Sequence, residues 1–236
     1  RLEVNITESI VANLSHHLVV ITNPEGFLGT VIPFAQMEQI AKICQQNQNI
    51  LVIDEAYIEF NTFNHCELIN MFDNLIIIRS YSKGMGLASM RIGALMASPN
   101  ILDYLCRFAS ENSISDISLE YLRFLLKRQQ SIKEINLMTC NNRDLLISKL
   151  RTSLPEWVIY ATYTNFITIA TRSIEEATQT VATLLDNGIR IRRLVEFDSH
   201  LHCIRITVPP VEKLSLLFDR LFACYSSSVT SCRSIC

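Results

Sequence analysis

The strongest constraint on the fold is a series of three short apolar runs near the start of the chain. The runs cover 18–22, 50–53 and 75–79, and each lacks the polar alternation of a strand with one face in water. Continuous runs of this kind are typical of parallel strands that are buried on both faces of a sheet. Between the first two runs, apolar residues recur at a spacing of three and four, which predicts a crossover helix over 34–48. We therefore predict an α/β fold built on a mostly parallel sheet.

The remainder of the chain predicts a second, smaller unit. Residues 91–97 have the pattern of a fourth strand, antiparallel because its connection is short, and 115–152 form a long helical stretch without Pro or Gly. Further strands are predicted at 157–162, 166–170 and 203–208, and further helices at 99–110, 174–185 and 211–222. We predict a partial large domain over 1–150 that ends in an interdomain helix, a small α+β domain over 151–225, and a tail over 226–236.

Composition restricts the kinds of partner that the chain can have. The 236 residues are 49% hydrophobic and carry a formal net charge of -2, which favours a small-molecule substrate over a nucleic acid or a membrane surface. No apolar run approaches the length of a membrane span. The eight cysteines lack the spacing of a zinc site and mostly lie in apolar segments, so no metal is predicted.

Chemically distinctive side chains follow the second and third apolar runs. Asp54 comes directly after one run, and Lys83 comes after the next, within a turn rich in Ser and Gly. Equivalent ends of neighbouring parallel strands lie roughly 5 Å apart, so a carboxylate and an amine at these positions can share one small ligand. The carboxylate can hold a protonated ring nitrogen while the lysine engages an aldehyde across the ring. Tyr57, three residues beyond the aspartate, is placed to donate to a ring oxygen.

The turn after the third run also suits a phosphate group. It offers the hydroxyls of Ser80 and Ser82, the guanidinium of Arg91, and backbone amides next to Gly84 and Gly86. Together with the carboxylate, the amine and the phenol, these are the groups that pyridoxal 5'-phosphate requires.

Segments around these residues resemble a known enzyme family. Val-Ile-Asp-Glu-Ala-Tyr-Ile-Glu-Phe at 52–60 and Ser-Tyr-Ser-Lys-Gly-Met-Gly-Leu-Ala-Ser-Met-Arg-Ile-Gly at 80–93 are similar to motifs of the class I/II aminotransferases. Similar small-domain motifs follow in the family's order at 165–167, 188–192 and 204–208. Within the family, the chain resembles the histidinol-phosphate aminotransferases and the related threonine-phosphate decarboxylases. The resemblance implies a fold-type-I pyridoxal-phosphate transferase, with the N-terminal part of the large domain missing from this sequence.

The resemblance also implies a role for each matching residue. Lys83 would be the Schiff-base lysine and proton shuttle at the substrate's α-carbon, Asp54 the partner of the ring nitrogen, and Tyr57 the donor to the ring oxygen. The other implied roles are phosphate binding by Ser80, Ser82 and Arg91, carboxylate binding by Arg205, and binding of a second anionic group by Arg192.

One loop departs from the family's pattern. The family's Asn-Pro-x-Asn-Pro-Thr-Gly corresponds to 23–29 here, and its second Asn, which touches the ring oxygen, aligns with Gly26. An alternative alignment of the shorter motif gives this role to Asn23.

The implied function is that of a pyridoxal-phosphate-dependent aminotransferase. Its substrates would be an amino acid or amino phosphate and a 2-oxo acid, and it would act as a homodimer in the cytoplasm. A lyase similar to threonine-phosphate decarboxylase and a non-catalytic binding protein of the same fold remain alternatives.

Two other interpretations are weaker. The run that ends at Asp54 and Glu55 also looks like a Walker B element, but no Gly-x-x-x-x-Gly-Lys-Ser/Thr accompanies it. His200 and His202 would share one face of a strand beside Cys203, but no third metal ligand stands at a fitting spacing.

Overall fold

Three parallel strands and one antiparallel strand form the first sheet of the computed structural model, which describes residues 8–109, 114–194 and 202–233. The strands are β1 (Leu18–Thr22), β2 (Ile50–Asp54), β3 (Leu75–Ser80) and β4 (Gly93–Ala97), and this is also their order in the sheet. β1, β2 and β3 run parallel, and β4 pairs with β3 in the antiparallel sense. The predicted parallel sheet with an antiparallel fourth strand is confirmed.

Short helices surround these strands. The α-helices are α1 (Glu8–Ala12), α2 (Phe34–Gln46), α3 (Pro99–Cys106) and α4 (Asp116–Leu126), with 3₁₀ turns at Ile58–Phe60, Cys66–Asn70 and Ala88–Met90. The predicted apolar stripe of α2 is buried: Met37, Ile40, Ala41 and Cys44. It shares one hydrophobic cluster with alternate strand residues on one face of the sheet: Ile21, Leu51, Ile53, Leu75 and Ile77.

The opposite face of the first sheet is only partly covered. At its centre, Val52, Ile76 and Ala97 pack against apolar side chains of α3. Around that centre lie exposed aliphatic side chains: Leu18, Val20, Ile50, Ile78 and Leu95. The prediction that the parallel strands are buried on both faces is therefore wrong for the described residues, because α3 covers only the middle of this face.

The C-terminal part of the chain forms an antiparallel sheet of its own. Its strands are β5 (Val158–Ile159), β6 (Phe166–Ala170), β7 (Arg192–Arg193) and β8 (Cys203–Thr207), in the order β5-β6-β8-β7. Its helices are α5 (Gln129–Ser153), α6 (Ile174–Asp186) and α7 (Val211–Arg233). Residues from these helices and strands share one hydrophobic core: Leu146, Leu150, Ile167, Leu184, Ile204 and Leu217. The predicted smaller α+β part is confirmed.

The chain divides into two compact units, and the division falls inside α5. The N-terminal unit lies within Leu2–Gly26 and Thr30–Asn136, and the C-terminal unit lies within Phe27–Gly29 and Leu137–Cys236. The loop Phe27–Gly29 belongs to the C-terminal unit because it lies against that unit's backbone, where Tyr163 N–H donates to the Gly29 carbonyl at 2.8 Å.

The long helical stretch predicted over 115–152 is interrupted. α4 ends at Leu126, and α5 begins three residues later. At the break the Arg128 guanidinium lies 3.6 Å from the centre of the Phe124 ring and donates to the Phe124 carbonyl at 3.2 Å. Since neither Gly nor Pro marks this position, the sequence pattern carried no signal for the interruption.

Other boundaries moved by a few residues. The strand predicted at 157–162 is reduced to β5, and the helix predicted at 99–110 ends at Cys106, while Ser110 lies outside the described residues. α7 continues past residue 225, through most of the segment predicted as a tail. The pattern of the two-residue β7 was too short to be recognised.

Adjacent residues on the two faces of β3 should differ in how much their substitution lowers the free energy of unfolding. Ile77 is fully buried, and we expect Ile77→Ala to lower the free energy of unfolding by about 2–5 kcal/mol, because it leaves a cavity under α2. Ile78 is 38% exposed on the other face, and we expect Ile78→Ala to cost less than about 1 kcal/mol. Urea unfolding followed by circular dichroism measures both losses. Equal losses would contradict the assignment of the two faces.

Candidate active site

Asp54 ends β2 at the carboxyl edge of the first sheet. It is in register with Thr22 of β1 and Ile78 of β3, so these three side chains lie on one face. Ser80 is two residues beyond Ile78 and therefore shares that face. The Asp54 carboxylate is half-buried and accepts a hydrogen bond from Ala56 N–H at 3.0 Å, which orients it after the strand ends.

The turn after β3 is closed by hydrogen bonds within its own backbone. Tyr81 N–H donates to the Ile92 carbonyl, and Leu87 N–H donates to the Tyr81 carbonyl. Ser82 N–H donates to the Ser80 hydroxyl at 3.2 Å, which brings the two predicted phosphate-binding serines together. Because the Ser80 oxygen accepts this bond, its own O–H is directed elsewhere and can donate to an anion.

Lys83 and Tyr57 converge on the same place from neighbouring strand ends. The Lys83 ammonium lies 5.3 Å from the centre of the Tyr57 ring, within the range of a cation–π contact. A Cβ built on Gly26, in the loop after β1, would lie 4.0 Å from Cε2 of the same ring. The loops after all three parallel strands therefore meet around Tyr57.

The turn between β3 and β4 carries Lys83 and is called the lysine turn. Gly84 allows this turn to pack closely on the segment after β2. A Cβ at this position would lie 2.4 Å from Cβ of Glu59, closer than real side chains approach. Only a glycine lets this backbone approach the Glu59 side chain so closely. The residue next to Lys83 is thus held against the residues that follow Tyr57.

Arg91 stands at the far end of the turn. It adopts a left-handed backbone conformation with φ 55°, and its guanidinium donates to the Ala88 carbonyl at 3.2 Å. The side chain is exposed, so its charge faces solvent rather than a buried partner. The structure places it in the same closed turn as Ser82 and Lys83.

Asn23 occupies a different environment from the other predicted cofactor-binding residues. Its side chain is fully buried. The amide oxygen accepts from Ile32 N–H at 2.8 Å, and the amide nitrogen donates to the Ile32 carbonyl at 3.0 Å. The same nitrogen lies 3.4 Å from Nε2 of His65. Both amide protons thus have partners within the fold, which leaves none for a ligand oxygen.

Glu55 lies next to Asp54 but on the opposite, buried face, and sequence analysis did not identify its role. Its side chain is fully buried, forms an ion pair with Arg79 and is hydrogen-bonded to His65. Burial by itself raises the pKa of this carboxyl, but hydrogen bonds from His65 and Arg79 and the charge of Arg79 outweigh it and hold the pKa below its ordinary value. An acidic residue close to the end of a buried strand was the available signal, but no spacing in the sequence pointed to its partners.

Glu59 has the opposite electrostatic environment. Burial raises the pKa of this carboxyl above its ordinary value, despite the positive charge of Arg79 nearby. Its Oε2 atom is buried and has no hydrogen-bond partner among the described residues. The pKa values of two glutamates four residues apart therefore shift in opposite directions, although burial raises both.

The C-terminal unit brings its two predicted anion-binding residues together. Arg192 of β7 and Arg205 of β8 are directly opposite each other in the antiparallel pair, so their side chains leave the same face. The Arg205 guanidinium lies 4.8 Å from the centre of the Phe166 ring. The register therefore puts two arginines side by side on one face of this sheet.

The described residues contain no group of three or more His, Cys, Asp and Glu that is suited to a metal ion. His202 uses its backbone carbonyl to accept from Thr171, and His200 lies outside the described residues. None of the helices in the described ranges is long and apolar enough to cross a membrane.

Comparison with known sequences gives one family. The sequence model of the family described as aminotransferase class I and II matches residues 1–221. The histidinol-phosphate aminotransferase of Thermoanaerobacter pseudethanolicus is 32% identical over 212 residues, which cover 90% of this chain and 58% of that protein. The chain thus spans less than two thirds of this relative's length.

Comparison with solved structures gives the same fold. Histidinol-phosphate aminotransferase from Sinorhizobium meliloti, in complex with pyridoxal-5'-phosphate, has a TM-score of 0.78 at 26% identity and covers 89% of this chain and 57% of its own. L-threonine-O-3-phosphate decarboxylase from Porphyromonas gingivalis has a TM-score of 0.75 at 19% identity, with coverage of 86% and 62%. The second likeness shows a shared fold alone, and both confirm the predicted fold class.

The two glutamates predict opposite dependences of stability on pH. The pKa of Glu55 is lowered in the folded state, so its stabilisation is present above the unfolded pKa of about 4.3 and is lost as pH falls through the folded pKa. The pKa of Glu59 is raised, so wild type loses stability as pH rises from about 4.3 through the folded pKa. At pH 7 we expect Glu55→Gln to destabilise the fold by about 3–5 kcal/mol and Glu59→Gln to stabilise it.

Thermal unfolding between pH 3 and pH 8 measures this contrast. The difference between wild type and Glu55→Gln should shrink towards acid pH, whereas the difference between wild type and Glu59→Gln should shrink there with the opposite sign. Parallel curves for all three proteins would show that neither carboxyl titrates differently on folding.

Proposed function

The chain belongs to the aminotransferase class I and II family, and on that premise we propose that it forms a pyridoxal-phosphate site that serves amino-group transfer. The observation that carries the proposal is the convergence of Lys83 and Tyr57 at the edge where Asp54 and Ser80 share one face. An amine, a phenol, a carboxylate and a hydroxyl from successive strand ends are thereby available to one small ring.

The residues present fit the cofactor's chemical groups. The Ser80 O–H, the Ser82 hydroxyl and the Arg91 guanidinium form a set of donors for a phosphate within one closed turn. Gly84 keeps the backbone beside Lys83 free of a side chain, where a Cβ would collide with Glu59. We leave Asn23 out of the set because its amide is used by Ile32 and His65.

When bound, the cofactor supplies an aldehyde that joins to an amine and a ring that withdraws electrons from the substrate's α-carbon. Lys83 would bind that aldehyde through its amine. Once the substrate amine had replaced the Lys83 amine, the freed lysine would move a proton at the α-carbon. Asp54 would keep the ring nitrogen protonated through its negative charge. Tyr57 would donate its phenol proton to the ring oxygen.

The substrate that we propose is an amino acid or an amino phosphate, with a 2-oxo acid as the second substrate. Arg205 would bind the carboxylate of an amino-acid or 2-oxo-acid substrate through its planar fork, and Arg192, directly opposite, would bind another anionic group such as a substrate phosphate. The name of the relatives supports an amino phosphate such as histidinol phosphate, in which a phosphate ester stands in place of the carboxylate of an amino acid. The family relationship also supports the predicted homodimer.

Covalent labelling tests the role of Lys83. After incubation with pyridoxal phosphate and reduction by borohydride, we expect peptide mapping to find the adduct at Lys83 in wild type and none at the site in Lys83→Ala. Lys42→Ala, which removes an exposed lysine on α2, is the matched control and should label as wild type does. A Lys83→Ala protein that turns over normally would refute the assignment, and a wild-type protein that does not label would leave only the non-catalytic alternative.

Turnover with histidinol phosphate and with threonine phosphate tests the substrate. Amino transfer and CO₂ release, followed separately, distinguish an aminotransferase from the decarboxylase alternative. We expect Arg205→Lys to raise the KM for the substrate whose anionic group Arg205 binds by about 10–100-fold. Lysine keeps the positive charge but loses the planar, two-pronged donor of the guanidinium. Arg190→Lys, an exposed arginine near β7, should leave KM unchanged. Equal effects of the two variants would remove Arg205 from the substrate site.

A further inference from the structure

A polar cluster joins the ends of β1, β2 and β3 beneath the proposed site. It consists of the buried residues Asn23, Glu55 and His65 and the partly buried Arg79. We propose that this cluster, the strand-end bridge, positions Asp54, and that it does so with His65 as the neutral ring protonated on Nδ1. The inference rests on the proposed function, because Asp54 is the residue assigned there to the ring nitrogen. None of these four residues is assigned a contact with the cofactor. Each is therefore a positioning residue that acts through Asp54.

The direction of each hydrogen bond follows from the backbone N–H of Ile32, which can only donate. Ile32 N–H donates to the amide oxygen of Asn23 at 2.8 Å, which identifies the other amide atom as nitrogen. That nitrogen donates to the Ile32 carbonyl and turns its second proton towards His65 Nε2 at 3.4 Å. His65 Nε2 must therefore accept, and the ring proton must be on Nδ1.

Glu55 receives that proton's hydrogen bond and several others. His65 Nδ1–H and His65 backbone N–H both donate to Oε1 of Glu55, each at 2.9 Å. Arg79 donates from Nε to Oε2 at 2.8 Å. Both carboxylate oxygens are thus engaged, as a fully buried carboxylate requires.

Aromatic side chains hold the imidazole in this orientation. Phe34 stacks on the His65 ring with centroids 5.9 Å apart and planes inclined by only 4°. Phe63 meets the ring edge-on at 5.7 Å. Because the ring is clamped on its face and its edge, it cannot turn to exchange the roles of its two nitrogens without moving these neighbours.

The bridge acts on Asp54 because the two residues share a peptide bond and point to opposite faces. The Asp54 carbonyl accepts from Asn23 N–H at 2.9 Å, and Glu55 N–H donates to the Ile78 carbonyl at 2.8 Å. The Glu55 side chain reaches the same two neighbouring strands again, through His65 to Asn23 and directly to Arg79. Main chain and side chain therefore hold this peptide from both sides, which sets the direction in which the Asp54 carboxylate leaves the sheet.

The first measurement needs no cofactor. Long-range ¹H–¹⁵N correlation spectra of ¹⁵N-labelled protein report which ring nitrogen of His65 carries the proton. We expect the Nδ1-protonated neutral ring at pH 7. A ring protonated on Nε2, or on both nitrogens, would overturn the bridge whatever the protein binds.

The second measurement separates positioning of Asp54 from a general loss of structure. Binding of pyridoxal phosphate is compared with binding of its deaza analogue, in which carbon replaces the ring nitrogen, by equilibrium dialysis in the Lys83→Ala background. We expect Glu55→Gln to weaken binding of pyridoxal phosphate by about 10-fold or more, as loss of a supporting residue does in other sites, and to change binding of the analogue by much less. Glu67→Gln, on the exposed side of the turn at Cys66–Asn70, should change neither.

The outcomes distinguish the inference from the function on which it rests. If Glu55→Gln weakens both ligands equally, or neither, the bridge does not act through Asp54 and the inference is wrong. If the Lys83→Ala protein with an otherwise intact site binds neither ligand, the proposed function fails instead. Should Glu55→Gln not fold, His65→Asn takes its place, since it keeps a donor towards Glu55 but ends the link to Asn23, and the same selective loss is expected.

Discussion

The buried charge of Glu55 is the constraint on which the rest of the N-terminal unit depends. A carboxylate without solvent contact is stable only if its oxygens are hydrogen-bonded and its charge is balanced. Arg79 supplies the charge and His65 the remaining protons. Since these partners come from β3 and from the segment after β2, the end of the sheet cannot rearrange without leaving a buried charge unpaired. Alternation along β2 then sends the neighbouring Asp54 to the other face, where a ligand can reach it.

The lysine turn is held by contact rather than by charge. Gly84 lets its backbone approach Glu59 closely, and the turn's own hydrogen bonds tie its two ends together. This packing carries Lys83 towards Tyr57, which precedes Glu59 by two residues. Lys83 and Tyr57, which have a proposed chemical role, are thus positioned by Gly84 and Glu59, which have none. Substitutions at Gly84 therefore act on the position of Lys83 without touching it.

Much of this arrangement could be predicted from the sequence, for reasons that are physical. Apolar runs and helical spacing report burial, so the parallel strands and α2 were recognised, and polar residues after the runs marked the edge with Asp54 and Lys83. Contacts across the chain leave no such pattern. The ion pair of Glu55 with Arg79, the internal hydrogen bonds of Asn23 and the pairing of Arg192 with Arg205 depend on distant residues or on register, which periodicity does not encode.

The partly open face of the first sheet bears directly on the strength of the proposed site. Asp54 and Ser80 stand on the same face as the exposed Ile78 and Leu95. A charge pair in contact with water is worth about 1 kcal/mol at 4 Å, but several times more where water is kept away. The strength of the proposed ion pair between Asp54 and a ring nitrogen would therefore depend on how completely this aliphatic face is shielded from water, as well as on the direction of the carboxylate. Positioning of the Asp54 carboxylate by Glu55 and exclusion of water from the aliphatic face are therefore two separate requirements of the proposed site.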